Sequence, residues 1–117
     1  MLKKRLLSFK YAFTGLGDLI RRQPNARIHL LATLLVVGGG FWLDVQPAEW
    51  GLLALAITAV WTAEALNTAL EYLTDLVSPD HHPLAGKAKD AAAAAVLLSA
   101  IGAVVIGLLV FSPYLKI

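Results

Sequence analysis

Cysteine is absent from this 117-residue sequence, and charged residues make up only 15% of it. The lack of cysteine excludes disulfide bonds, thiolate nucleophiles and cysteine-ligated metal centres. Soluble domains contain about 25% charged and about 45–50% apolar residues, whereas this chain is 58% hydrophobic. A chain this short forms one domain, and a small soluble domain has too little interior to bury so much apolar surface. The composition therefore predicts a single integral membrane domain over residues 1–117.

Positive charge is concentrated near the beginning of the chain. Asp18 is the only acidic residue among the basic ones there, which are Lys3, Lys4, Arg5, Lys10, Arg21, Arg22 and Arg27. Such a cluster is compatible with nucleic-acid binding. Beside long apolar segments it is more typical of a segment that contacts the anionic cytoplasmic leaflet of a membrane.

Apolar residues in the same segment recur at spacings of three and four. They are Leu2, Leu6, Phe9, Phe13, Leu16 and Ile20. This periodicity predicts an amphipathic helix over about residues 2–23 that lies in the membrane interface. The sequence Gln23-Pro24-Asn25 is expected to end the helix and turn the chain towards the bilayer.

Three apolar segments follow, and we predict transmembrane helices over about residues 28–45, 50–77 and 90–112. A short polar turn at 44–49 and a polar loop at 78–89 are expected to join them. The loop contains Lys87 and Lys89, whereas the turn contains no Lys or Arg. The positive-inside rule then places the N-terminus and the loop on the cytoplasmic side.

The second apolar segment ends in a row of polar residues, Glu64, Asn67, Glu71 and Asp75. Their spacing of three, four and four residues predicts that they share one helix face. A carboxylate within the membrane costs about 2.5–3 kcal/mol on insertion scales, so such residues usually have a function. Carboxylate and amide oxygens suit a divalent cation such as Mg²⁺. The alternative is structural ion pairing or simple exposure to water, above all for Asp75.

The polar loop adds Asp80, His81, His82, Lys87 and Lys89 at the same predicted interface. Lysine is a good partner for phosphate. The alternative is that these lysines only reflect the general excess of Lys and Arg in cytoplasmic loops. A zinc site is not expected, because adjacent histidines rarely share one ion and no third ligand is evident. Gly86-Lys87 lacks the earlier glycine and the following Ser or Thr of a P-loop.

Taken together, these motifs resemble the prokaryotic diacylglycerol kinase family, which includes the undecaprenol kinases. The similar features are the Glu64-x-x-Asn67-x-x-x-Glu71-x-x-x-Asp75 row, the polar loop and the Ala88-Lys89-Asp90 sequence before an alanine-rich span. The resemblance covers nearly the whole chain. It implies an all-α homotrimeric bundle in the bacterial cytoplasmic (inner) membrane, with a surface helix, three transmembrane helices per chain and cytoplasmic active sites shared between subunits.

The resemblance also implies roles for individual residues. Glu64 corresponds to the general base that activates the hydroxyl of a lipid alcohol, and Glu71 corresponds to a ligand of Mg²⁺. Asp75 is expected to support the same face. ATP contacts are implied for Lys4, Tyr11, Gln23, Glu71, Asp80, His81, His82, Lys89 and Asp90. Lipid contacts are implied for Glu64, Asn67, Ala93, Ile28 and Trp42.

Gln23 departs from the family pattern, which usually has a glutamate there as a second metal ligand. An amide oxygen can bind Mg²⁺ but supplies no charge, so the departure predicts weaker metal binding. It is also compatible with a family member that has no catalytic activity.

Three functions therefore remain open at the level of sequence. The segments Asn25-x-Arg27-Ile28-His29-Leu30 and His82-Pro83-Leu84-Ala85 resemble undecaprenol kinases more than the diacylglycerol branch, so we expect undecaprenol as substrate, with diacylglycerol as the alternative. A non-catalytic membrane scaffold is the second possibility. The third is a small ion or proton transporter subunit, but that function predicts polar residues through the membrane depth, and the first and third spans have almost none.

Overall fold

A computed structural model describes residues 1–116 as four α-helices. They are α1 (Leu2–Arg22), α2 (Pro24–Leu43), α3 (Pro47–Val77) and α4 (Pro83–Leu115), and this described part of the chain contains no β-strand. The last three helices are long and apolar enough to cross a membrane. The predicted all-α architecture with three candidate spans is thus confirmed.

Proline begins each of the three helices that are candidate membrane spans, at Pro24, Pro47 and Pro83. The first position of a helix favours proline because its missing N–H would have no partner there and its φ already matches the helix. Gln23 alone separates α1 from α2, with an extended backbone (φ −105°, ψ 112°). Asp44 ends α2 in the left-handed conformation at φ 54°.

The polar loop is shorter than the sequence predicted. Its expected range of 78–89 is wrong, since α4 begins at Pro83 and already contains Lys87 and Lys89. The imidazole Nδ1 of His82 accepts the backbone N–H of Leu84 at 3.1 Å and so caps the helix. The alanine-rich sequence that follows has a high helix propensity.

The turn between α2 and α3 is also shorter than the predicted 44–49. Glu49 lies inside α3, where its Oε1 accepts the backbone N–H of Gln46 at 2.9 Å. With Gln46 as the N-cap residue this forms a capping box. The acidic side chain therefore starts the helix and is not part of the turn.

Helix α3 is the centre of the bundle, because it packs extensively against α4 and also contacts α1 and α2. At the end near the α2–α3 turn, Val45, Leu53 and Val110 form a buried apolar core. The hydroxyl of Tyr114 donates a hydrogen bond to Glu49 beside this core. This end of the bundle is thereby closed by contacts from α2, α3 and α4.

Gly40 allows α2 to approach Trp50 at this end. A Cβ atom at Gly40 would lie 2.5 Å from Cη2 of Trp50, a distance that requires the indole to move. The indole is also held by Phe41, with ring centroids 4.8 Å apart. Trp50 is therefore part of the packing, whereas Trp42 is 80% exposed.

We expect Gly40→Ala to lower the free energy of unfolding by about 1–3 kcal/mol, because the added methyl group overpacks against Trp50. The measurement is thermal unfolding in detergent, followed by circular dichroism. Gly38→Ala is the matched control, since a Cβ there meets nothing within 4 Å. Equal stability of the two variants would contradict the packing described here.

Candidate active site at the polar end of the bundle

The half of α3 opposite the apolar core contains three polar side chains on one face. Glu64 is 1% exposed and Asn67 is 8% exposed. Asn67 donates its side-chain N–H to Oε1 of Glu71 at 3.3 Å, which links two successive turns of the helix. The predicted face is therefore present, and it becomes more accessible towards the C-terminal end of α3.

Glu64 faces His29 of α2. The Nε2 atom of His29 lies 3.3 Å from Oε2 of Glu64, and the side chains are 15% and 1% exposed. Their orientation falls short of normal hydrogen-bond geometry. Next to this pair, Trp61 donates its Nε1–H to the hydroxyl of Thr33 at 3.0 Å. Helices α2 and α3 are thus tied together beside the buried carboxylate.

Several buried polar atoms at this end have no hydrogen-bond partner within residues 1–116. They are Nε2 of His29, Oε2 of Glu64, Oδ1 of Asn67 and Oγ1 of Thr68. A buried polar group without a partner costs about 1–3 kcal/mol. The cluster therefore has hydrogen-bonding and ligating capacity that a polar ligand can use.

An apolar cavity of about 360 Å³ lies between α2, α3 and α4 and reaches His29. Its lining includes Ile28, Val36, Val60, Gly107 and Phe111. One end of the cavity is therefore next to the carboxylate of Glu64, and its walls are suited to hydrocarbon.

Of the residues predicted to contact the lipid, Ile28 is the one that lines this cavity. Ala93 is exposed on α4. Trp42 is near the C-terminal end of α2 and His29 near its N-terminal end, which separates them by about 20 Å along the helix. One chain therefore does not bring Trp42 to Glu64.

A second, more polar cavity of about 170 Å³ lies where α3 ends and α4 begins. Lys89 pairs there with Oδ1 of Asp75 at 2.5 Å. The pair is largely exposed and so contributes little to stability. The cavity brings together four of the residues predicted to bind ATP, namely Asp80, His81, His82 and Lys89. Asp90 is exposed and outside its lining.

Within residues 1–116, the contacts that fix α1 to the bundle lie at its C-terminal end. The hydroxyl of Tyr72 donates to Oδ2 of Asp18 at 2.8 Å, and Asp18 also pairs with Arg22 at 2.8 Å. Arg27 donates to the carbonyl oxygens of Ile20 and Arg21 and so braces the α1–α2 corner at Gln23.

The beginning of α1 is far from this corner. The helix has 21 residues, which corresponds to a length of about 30 Å. Lys4 and Tyr11 are both exposed along it. Neither residue is in the lining of the cavity that contains Lys89.

The family model of prokaryotic diacylglycerol kinases matches residues 10–111. This chain belongs to that family. It is 41% identical over 108 residues to the undecaprenol kinase of Bacillus subtilis, a match that covers 92% of this chain and 88% of the relative. It is 36% identical over 95 residues to the diacylglycerol kinase of Escherichia coli K12, which covers 81% and 78%.

A third relative, the diacylglycerol kinase of Synechocystis, is 43% identical over 103 residues, which are 87% of this chain and 59% of the relative. The family resemblance inferred from the sequence is thus confirmed. The chain is an ATP-using lipid kinase and a multi-pass membrane protein.

A kinase of this family is expected to use Mg²⁺, and the donor set can be compared with that need. The described residues contain no group of three or more His, Cys, Asp or Glu side chains placed to hold a metal. Glu71 and the unpaired Oδ1 of Asn67 are nevertheless hard oxygen donors on adjacent turns. Mg²⁺ usually takes one or two carboxylates and completes its shell with water and substrate phosphates. The residues fit a partial site of that kind.

Two contacts of this kinase were missed by reasoning from sequence. The sequence presents His29 only as part of the Arg27-Ile28-His29 motif, although a histidine near an intramembrane acid is a natural partner for it. The Tyr72–Asp18 bond joins residues 54 positions apart. No sequence signal predicts that second contact, because it depends on how α1 folds back onto α3.

We expect Tyr72→Phe to loosen α1, because it removes a hydrogen bond that contributes about 0.5–1.5 kcal/mol. Hydrogen–deuterium exchange of the α1 amides near Asp18 should become about threefold to tenfold faster. Tyr11→Phe, at an exposed position on α1, is the control. Unchanged exchange in Tyr72→Phe would show that the bond does not hold the helix.

Proposed function

We propose that this kinase transfers the γ-phosphoryl group of ATP to the hydroxyl of undecaprenol, with Glu64 as the general base. The observation that carries the proposal is the placement of Glu64. Its carboxylate is 1% exposed and lies 3.3 Å from His29, where an apolar cavity between the transmembrane helices ends. This arrangement suits a substrate with a hydroxyl group on a long hydrocarbon chain.

The reaction proceeds as a direct in-line transfer. The lipid oxygen forms a bond to the γ-phosphorus, the bond from that phosphorus to the ADP oxygen breaks, and the hydroxyl proton moves to Glu64. Such a transfer asks the protein mainly for positioning and charge stabilisation. General base catalysis contributes about 10²–10⁴-fold. The hydrocarbon chain stays in the bilayer and the cavity while the hydroxyl reaches the carboxylate.

The phosphates of ATP bind at the polar cavity between α3 and α4. Lys89 supplies positive charge there, and the segment 80–82 also lines the cavity. Glu71, with Asn67 and Gln23 nearby in the same end of the bundle, would hold Mg²⁺, which would offset the charge of the phosphates. Asp75 orients Lys89 through their 2.5 Å contact.

The active unit in this proposal is a homotrimer in which a neighbouring chain supplies further ATP contacts. Lys4 and Tyr11 are exposed on α1 and are not among the residues that line the cavity of their own chain. In addition, a groove of about 770 Å³ between α3 and α4 is lined largely by small residues, including Thr58, Thr62 and Ala91. Small residues allow close helix–helix approach in membranes.

Orientation follows from charge. We propose that the polar end faces the cytoplasmic side of the bacterial inner membrane, and the basic residues of α1 and the lysines at the start of α4 support this orientation. Helix α1 lies on the membrane surface with its exposed apolar residues, such as Leu2, Phe9 and Phe13, in the interface.

Diacylglycerol is the alternative substrate, favoured by the relatives in Escherichia coli and Synechocystis that are named diacylglycerol kinases. Undecaprenol is preferred because the Bacillus subtilis relative matches 92% of this chain. A transporter subunit is not favoured, since the buried acid and its polar neighbours lie at one end of the bundle.

The test is transfer of labelled γ-phosphate from ATP to undecaprenol and to diacylglycerol by the purified protein in detergent, with Mg²⁺ present or chelated. We expect Mg²⁺-dependent labelling, faster for undecaprenol. Labelling of diacylglycerol alone would replace the proposed substrate. Labelling of neither lipid by folded, trimeric protein would support a non-catalytic scaffold and implicate Gln23.

We expect Glu64→Gln to lower kcat by at least about 10²-fold, because the amide cannot accept the hydroxyl proton. Trimer assembly, measured by size-exclusion chromatography with light scattering, should be unchanged. Glu49→Gln is the matched control, an acid on the same helix at the opposite end of the bundle. An active Glu64→Gln enzyme would remove Glu64 from the role of base.

A second prediction tests the apolar cavity. Gly107→Leu should raise the KM for the lipid about tenfold without changing the KM for ATP, because the new side chain fills space meant for hydrocarbon. Gly102→Leu is the control on the same helix. A Cβ at either glycine meets nothing within 4 Å, but Gly107 alone of the two lines the cavity. Equal lipid KM values for both variants would argue against binding of the lipid hydrocarbon in this cavity.

A further inference from the structure

Glu64 needs a partner that other polar side chains around it do not supply. Lys89 is bound to Asp75, and Asn67 donates to Glu71. Within residues 1–116, His29 is the basic side chain that lies within 4 Å of the Glu64 carboxylate. An ionised carboxylate at 1% exposure is costly unless a donor or a positive charge faces it.

We propose that His29 is a positioning residue for the reaction. Its Nε2 lies 3.3 Å from Oε2 of Glu64 without forming a hydrogen bond in the substrate-free chain, and it donates its N–H to Oε2 when the site tightens around the substrate, which leaves Oε1 directed to the lipid hydroxyl. The inference rests on the proposed role of Glu64 as the base. Imidazole suits this task because Nε2–H is a donor both in the charged ring and in one neutral tautomer. A fixed carboxylate meets the hydroxyl in one geometry, and geometry is most of what phosphoryl transfer requires.

The structure also restrains His29 itself. The hydroxyl of Thr33 donates to the backbone carbonyl of His29 at 2.7 Å, and the same hydroxyl accepts Nε1–H of Trp61 at 3.0 Å. The Trp61 ring meets the imidazole edge-on, with centroids 6.5 Å apart and an interplanar angle of 69°. Trp61 and Glu64 are one turn apart on α3. The same contacts between α2 and α3 therefore fix the positions of both the imidazole and the carboxylate.

The two nitrogen positions of the ring can be tested separately. The side-chain amide of glutamine places an N–H donor near the position of Nε2, whereas the amide of asparagine places it near Nδ1. We expect His29→Gln to keep kcat within about threefold of the wild type. His29→Asn and His29→Phe should lower kcat by about tenfold to a hundredfold, with the KM for ATP unchanged.

Detergent unfolding temperature and trimer assembly are measured for all three variants. A merely structural role predicts that kcat follows stability and that Asn and Gln behave alike. Equal kcat values for His29→Gln and His29→Asn, whether both high or both low, would overturn the proposal. If His29→Phe does not fold, the comparison of kcat between His29→Gln and His29→Asn still tests the positioning role.

A double-mutant cycle connects His29 to Glu64. In the Glu64→Gln background, His29→Asn should cause no further loss of the residual rate, because both substitutions remove the same function. Additive losses would show that His29 acts through another group. Absence of lipid labelling by the wild type, or full activity of Glu64→Gln, would instead mean that the proposed function fails, so the two failures are distinguishable.

Discussion

A buried carboxylate among apolar helices is the constraint around which this kinase is organised. Glu64 is almost inaccessible, and burying a carboxyl group is costly unless a polar partner faces it. Helix α2 supplies a histidine beside it, with Nε2 of His29 at 3.3 Å from Oε2 of Glu64. That contact requires α2 and α3 to keep one relative position, which the Trp61–Thr33 bond maintains. The cavity beside His29 then connects the same point to hydrocarbon.

The two ends of the bundle differ in their packing. At one end Gly40 accommodates Trp50, and Val45, Leu53 and Val110 form a closed apolar core. At the other end, several buried polar atoms lack partners within residues 1–116, and a polar cavity lies where α3 ends and α4 begins. The apolar cavity runs between the helices from His29 to Leu53 of the core. Regions that bind ligands are commonly less well packed than the core that supports them. The rigid end therefore supports an end whose polar groups remain available for substrate and nucleotide.

Helix α1 is likewise attached at one end and exposed at the other. It joins the bundle through Asp18, Tyr72 and the braced corner at Gln23, while its first half stays exposed. Lys4 and Tyr11 are exposed and do not line the cavity that contains Lys89, and in our proposal a site shared between chains explains their exposure. The small-residue groove on α3 and α4 provides a surface on which another helix can pack closely.

Much of this description follows from the sequence by itself. Hydropathy determined the three spans, because the bilayer sets their length and polarity. Helical periodicity placed Glu64, Asn67 and Glu71 on one face, since that spacing is a local property of the α-helix. Sequence reasoning extended the polar loop too far, because the cap at His82 and the alanine-rich segment start α4 early. Tertiary structure alone decided that His29 meets Glu64, that Tyr72 meets Asp18 and that Trp50 packs on Gly40. These contacts join different helices, and they depend on crossing angles and depths that no local periodicity encodes.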